Sequence, residues 1–182
     1  SKLLEPKPPL REKWSILGDP TEGALVVIAK KVGLEADGVR VWEIPFSSER
    51  KMMSVLYDIG KKREIYTKGA PELVLNLCDS ILIGERKVKL SEVHKKEIIK
   101  SIEEMSNKGL RVLGMAYSDV KTRTVKEEKL ERNLTFIGLV GMIDPPRPEV
   151  KKAIKDCRRA GISVVMITGD HPLTAGKIAA EL

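Results

Sequence analysis

An antiparallel β-sheet with flanking helices, followed by a partial parallel βαβα unit, is the α/β and α+β architecture this sequence predicts. Three observations lead there. Short alternating or apolar runs recur from Val39 to Tyr117 and are joined by tight polar turns, the pattern of hairpin-connected strands. From Phe136 the pattern changes to a nearly continuous apolar run, a helical stretch, a second apolar run at Ile162–Ile167 and another helical start, which is the spacing of a parallel sheet covered on both faces. Finally, 182 residues with 42% apolar and 32% charged side chains describe a globular chain with one or two cores, and no apolar run approaches the length of a bilayer span.

Each element follows from local chemistry. Pro6, Pro8 and Pro9 keep the first dozen residues from a regular element. Asp19 is a suitable N-cap, Pro20 suits the first helical position and Glu22 can close a capping box, so a helix is expected from Pro20 to about Gly33. Val39–Ile44 reads as a strand, the polar stretch Pro45–Lys51 as a turn, and Met52–Tyr57 and Arg63–Thr67 as a hairpin closed around Gly60. Pro71-Glu72 opens a short helix carrying Leu73, Val74 and Leu77. Ile81–Leu90 is a hairpin around Gly84-Glu85, and Ser91 caps a long amphipathic helix with Ile98, Ile102 and Met105 on one stripe, ended by Gly109. Leu110–Tyr117 returns as a strand. Phe136–Ile143, a helix from about Pro148 to Ala160, and Ile162–Ile167 complete the pattern, with a domain boundary expected between 135 and 143.

Charge and composition bound the function. The formal charge of +7 favours anionic partners, whether nucleic acid, anionic lipid or a phosphorylated small molecule. The basic residues recur as short groups such as Lys61-Lys62-Arg63 and Lys151-Lys152, which also suit solvated faces, and aromatics at 4% are too few for a stacking platform along single-stranded nucleic acid. Two distant cysteines, Cys78 and Cys157, lack metal spacing and read as reduced core thiols. The start, Ser1-Lys2-Leu3, has no initiator Met and no signal-peptide pattern, and is read as the cut edge of a longer protein.

Several residues carry candidate chemistry. Ligand chemistry in a parallel sheet gathers at the carboxyl ends of its strands, where Asp144 and Thr168-Gly169-Asp170 fall. A Thr hydroxyl, a Gly backbone and an Asp carboxylate there suit phosphoryl chemistry, and an ordinary helix cap explains the same residues as well. The nearby Gly176-Lys177 is not a P-loop, because Gly169 and Gly176 lie too far apart and Ile178 follows the lysine. Lys68 ends a strand beside the tight turn Gly69-Ala70-Pro71, either as an ordinary surface lysine or as a cation aimed at a ligand. Its company in the second reading is Phe46, Lys51, Arg111 and Glu22. Phe46 then offers a ring for a purine, and the competing role for that ring is a place in the core.

Six blocks, taken together, resemble one family. Gly18–Leu25 (GDPTEGAL), Pro45–Met52 (PFSSERKM), Lys68–Glu72 (KGAPE), Gly109–Val112 (GLRV), Asp144–Arg147 (DPPR) and Met166–Asp170 (MITGD) occur in the order found in P-type cation-transporting ATPases of the type II, calcium-pump-like branch. The resemblance implies a nucleotide-binding domain over 1–138, lacking its first strands, followed by part of a haloacid-dehalogenase-like phosphorylation domain over 139–182. It implies ATP as ligand, Mg²⁺ in the intact protein, and the actuator and transmembrane domains of the pump as partners. Nucleic acid is not expected to bind, and contact with a membrane is expected only through the pump's own transmembrane segments, which places the chain at the cytoplasmic face.

Carried over residue by residue, the resemblance implies that Phe46 stacks on adenine and that Lys51 and Lys68 line the pocket beside Gly69. Glu22 is implied near the adenine amino group, and Arg111 at the phosphates. Thr168 and Gly169 are implied as phosphate contacts, with Asp144, Arg147 and Asp170 organising the hinge and nucleotide end. Ser48 stands where calcium pumps often carry an Arg, a departure from the pattern at one phosphate contact. The family's phosphorylated aspartate, in Asp-Lys-Thr-Gly-Thr, and its later Mg²⁺-binding Asp do not occur in this chain, so it is expected to bind ATP without turning it over. The residues leave two other classes as alternatives: a basic nucleic-acid-binding module, supported by charge alone, and a haloacid-dehalogenase-type phosphatase, opposed by the absence of a DxDxT-like strand end.

Overall fold

The computed structural model describes residues 2–4, 15–35, 37–121, 130–143, 146–168 and 172–182. They fall into two units, 1–39 and 40–182.

In the first unit, β1 (Lys2–Leu4) pairs antiparallel with β2 (Ser15–Leu17). Lys2–Leu4 is thus regular where no element was expected. The prolines begin at position 6, so the strand's N–H groups are intact. Helix α1 (Pro20–Lys31) starts as expected: Asp19 is the N-cap, and its carboxylate accepts from the Glu22 N–H at 3.1 Å. Gly23 lets α1 meet Ile16, whose side-chain atoms lie 2.5 Å from where a Cβ would stand.

The second unit is built on a seven-stranded sheet of order β3-β4-β5-β8-β9-β6-β7. Its strands are β3 (Val39–Ser47), β4 (Met52–Ile59), β5 (Lys62–Gly69), β6 (Cys78–Ile83), β7 (Arg86–Lys89), β8 (Arg111–Asp119) and β9 (Leu134–Met142). Strand β3 continues through Pro45, where the sequence suggested a stop. As an edge strand it tolerates the missing N–H. Helices α2 (Pro71–Asn76) and α3 (Glu92–Asn107) follow β5 and β7. Ser91 caps α3, accepting from the His94 N–H at 3.2 Å, while His94 Nδ1 accepts from the Ser91 N–H, so a histidine closes the capping box.

One face of the sheet is the core. Alternation buries Met52, Ser54 and Leu56 on β4 and Ile65, Thr67 and Gly69 on β5. Of these, Leu56 and Ile65 join Val74 and Leu75 of α2 and Ile98 and Ile102 of α3 in a cluster that also holds Leu134 and Phe136. On the opposite face Tyr57, Tyr66 and Tyr117 line up across three strands, with ring centroids 6.2 and 6.4 Å apart. The Tyr66 hydroxyl donates to the Glu64 carboxylate.

The parallel βαβα unit expected after residue 135 is not what the structure shows. Strand β9 joins this sheet, antiparallel to β8 and parallel to β6. Its apolar run reflects burial between two strands in a mixed sheet. Residues 162–168 form no strand, and Ile162, Val164, Val165, Met166 and Ile167 are exposed. An apolar run of this length states a need for burial without specifying the strand that would supply it. Around it lie α4 (Pro148–Arg159) and α5 (Pro172–Glu181).

Phe136 is 2% exposed, so Phe136→Ala is expected to cost about 3–5 kcal/mol in urea unfolding. The neighbouring Thr135 hydroxyl is buried with no hydrogen-bond partner among the described residues, and Thr135→Val should therefore leave stability unchanged or raise it by about 1 kcal/mol. The Cys78 thiol is half-buried, donates to the Val74 carbonyl, and is pushed up to about 12 by burial and then by Asp79. It should react slowly with a disulfide reagent at pH 8 in the folded chain. Because the unfolded thiol ionises first, its contribution to stability is intact below pH 9 and declines as pH rises from there towards about 12.

Candidate functional site

The antiparallel order gathers the motif residues at one end of the sheet. Strands β3, β5 and β9 finish there, and β4 and β8 begin there. Phe46 is the penultimate residue of β3, Ser48 and Lys51 lie in the turn that leads into β4, Lys68 and Gly69 end β5, and Arg111 opens β8.

The turn Ser47–Lys51 is held by its own first residue. The Lys51 N–H donates to the Ser47 carbonyl at 2.7 Å and the Arg50 N–H to Ser47 Oγ at 3.1 Å. Lys51 takes a left-handed conformation, φ 51°, which a non-glycine residue keeps only where its surroundings fix it. One fixture is the Ala70 N–H, which donates to the Lys51 carbonyl at 2.8 Å and so ties the turn to the Lys68-Gly69-Ala70 corner. Gly69 is required at that contact. A Cβ there would stand 2.4 Å from Met52 Cβ and 2.5 Å from the Lys51 oxygen. Across the next strand pair Gly69 faces Gly114, whose own Cβ would stand 2.8 Å from Pro71 Cα, so the corner and the start of α2 lie flat on β8.

Lys68 is half-buried and pairs with Met53 on one side and Met115 on the other. Strand alternation puts Arg111, Leu113 and Met115 on the same face as Lys68, away from the core. Arg111 is exposed and lies four residues from Met115, roughly 13 Å along the strand. Phe46 is 61% exposed, which removes the reading of that ring as a core residue. Ser48 and Lys51 are exposed too. The site therefore offers cations and one aromatic face to solvent, held by backbone contacts rather than by flexible loops.

The remaining candidates stand elsewhere. Arg147 is exposed at the N-cap of α4, a few residues past the end of β9. Glu22 lies in the first turn of α1, in the other unit. Thr168 is exposed ahead of α5, and Asp144, Gly169 and Asp170 lie outside the described residues. Lys177 of α5 donates to the Lys108 carbonyl at 2.9 Å, at the C-cap of α3. That Gly-Lys pair serves a helix end, where carbonyls attract a cation.

Two residues of the site's support carried no label in the sequence. Arg50, inside the PFSSERKM block, pairs with Glu131, 81 residues away. Only the folded register brings them together.

The chain matches the family model for the P-type ATPase cytoplasmic domain N over residues 4–149. The chain belongs to the P-type ATPases, in their calcium-pump-like branch. It is 45% identical over 170 residues to calcium-transporting ATPase 1 of Bacillus cereus and 43% identical over 172 residues to a calcium-transporting ATPase of Bacillus subtilis, each match covering 91% of this chain and 19% of the relative. An endoplasmic reticulum calcium ATPase of Aspergillus fumigatus is 37% identical over 205 residues, covering 93% of this chain and 21% of its own length. The chain thus spans about a fifth of these relatives.

Gly69→Ala should drive the corner away from Lys51, lowering stability by about 1–3 kcal/mol. Amide exchange at Ala70 in that variant should accelerate more than exchange in the α3 core, and equal acceleration everywhere would contradict the local role given to Gly69.

Proposed function

We propose that this chain is the ATP-holding part of a P-type ATPase that couples ATP hydrolysis, through an aspartyl-phosphate, to transport of a cation across a membrane. Calcium is the cation by analogy with the names of the relatives. The observation that carries the reading is the fastening of the Lys51 turn to the Lys68-Gly69-Ala70 corner, which holds lysines from two motifs at one end of the sheet, where β3 also delivers the exposed Phe46 ring.

In this reading Phe46 stacks on adenine, worth roughly 1–3 kcal/mol. Lys51, Lys68 and Arg111 neutralise the phosphates, Ser48 offers a hydroxyl on the same turn, and Gly69 lets the backbone come close. Residues to about 138 form the nucleotide-binding domain. Residues 139–182 open the phosphorylation domain, with the division inside β9 and Asp144 and Arg147 organising the hinge. Thr168 and Gly169 hold phosphate oxygens beside the phosphorylated aspartate, and Asp170 orders that end of the site.

Among the described residues no group of three or more His, Cys, Asp or Glu side chains gathers to hold a metal. In the intact protein Mg²⁺ would come with the nucleotide's phosphates, which leave few ligand positions for protein carboxylates. What this chain contributes is binding, orientation and charge neutralisation.

The chain contains no Asp-Lys-Thr-Gly-Thr sequence, and by itself it binds ATP without hydrolysing it. Its partners are the actuator and transmembrane domains of the pump, and its place is the cytoplasmic face of the membrane. Among the described residues no helix is long and apolar enough to cross a bilayer.

A titration tests the reading. ATP should bind near millimolar affinity, about −4 kcal/mol, and shift the NMR signals of Phe46, Lys51 and Lys68. Lys68→Ala should weaken binding several-fold and Phe46→Ala should abolish the preference for ATP over inorganic triphosphate. Signals that stay fixed at ATP concentrations well above millimolar would refute it.

A further inference from the structure

The turn that carries Ser48 and Lys51 has a third fastening, from beneath. Arg50 Nη2 lies 2.5 Å from both carboxylate oxygens of Glu131, with the two side chains 32% and 17% exposed. Ser54 Oγ donates to the same Glu131 carboxylate at 2.5 Å and lies 2.8 Å from Thr67 Oγ1. Ser54 and Thr67 are 1% and 2% exposed. Since the Ser54 proton goes to the carboxylate, the Thr67 hydroxyl donates to Ser54. The chain Thr67, Ser54, Glu131, Arg50 thus runs from the buried face of β5, through β4, to the outside of the turn.

We infer that Glu131 is a positioning residue for the nucleotide site: its ion pair with Arg50 holds the Ser47–Lys51 turn in the orientation that presents Lys51. This rests on the ATP-binding reading above. Three observations converge on it. Lys51 sits in a left-handed conformation that needs support from its surroundings. Its neighbour Arg50 is half-buried and tied inward while Ser48 and Lys51 are exposed, so the pair sets which side of the turn faces solvent. And Glu131 is anchored independently of Arg50, by the buried Ser54, so it is a fixed point rather than a second mobile partner.

Electrostatics and positioning give opposite signs here. Removing the Glu131 charge makes the edge more positive and by field alone would tighten a polyanion. Losing the clamp releases the turn and weakens it, because the ordering of Lys51 must then be supplied on binding.

The test uses the whole 182-residue chain with ATP as probe, alongside far-UV circular dichroism and hydrogen exchange of the Ala70 amide. Glu131→Gln should weaken ATP about tenfold and speed Ala70 exchange. Arg50→Ala should do the same, Arg50→Lys should restore most of the affinity, and the double variant Arg50→Ala with Glu131→Gln should be no worse than either alone. Arg50→Ala also serves should Glu131→Gln fail to fold. Tighter or unchanged ATP binding in the folded single variants would overturn the inference. A wild-type chain that binds no ATP, with Ala70 exchange still quickened by Glu131→Gln, would instead overturn the functional reading on which the inference stands, leaving a purely structural clamp.

Discussion

Gly69 runs so close to Met52 and Lys51 that no side chain fits between them, and most of the site depends on that closeness. It lets the Ala70 amide reach the Lys51 carbonyl, which supports the left-handed backbone at Lys51. It also brings the corner flat against Gly114, so that α2 begins directly over β8. Lys68 and Arg111 therefore inherit their positions from strand register, whose spacing is set by hydrogen bonds across the sheet, while Lys51 takes its own from a turn tied to that register. The two ends of the β4–β5 hairpin close into one surface because a hydrogen atom stands at Gly69 where other residues have carbon.

The sheet divides its labour by face. The inward side of β4 and β5 carries Leu56 and Ile65 into contact with α2 and α3. The same side carries Ser54 and Thr67, two buried hydroxyls that an apolar core would ordinarily exclude. They are tolerated because they satisfy each other and because Glu131 accepts at the end of the relay. A polar thread of this kind couples the packing of the core to the geometry of an outside turn. The outward side instead presents tyrosines in a row, together with Lys68 and Arg111.

Much of this was legible in the sequence, for reasons that are local. Asp19, Ser91, Pro71 and Gly84 mark element boundaries through capping and turn chemistry that acts over three or four residues. The hairpin β4–β5 follows from alternation and Gly60. The blocks containing Phe46, Lys51, Lys68 and Arg111 were readable as motifs, and the sheet order explains why four separated stretches belong at one edge. What was not legible depends on partners distant in the chain. The run Leu134–Met142 has the composition of a central parallel strand, and only pairing with both β8 and β6 shows that it closes a mainly antiparallel sheet. Ile162–Ile167 has the same look and forms no strand at all. The Arg50–Glu131 contact has no sequence signature, since neither residue type nor spacing announces a bond across 81 positions.

The two margins of the seven-stranded sheet differ in kind but act alike. Strand β3 carries Pro45, which cannot donate to a neighbour, and β7 carries Arg86, Lys87 and Lys89 among its four residues. A second molecule approaching either side would meet a missing amide or a row of like charges. Lateral growth into an extended ribbon is thereby discouraged, which lets such a domain be crowded against copies of itself and remain a separate body.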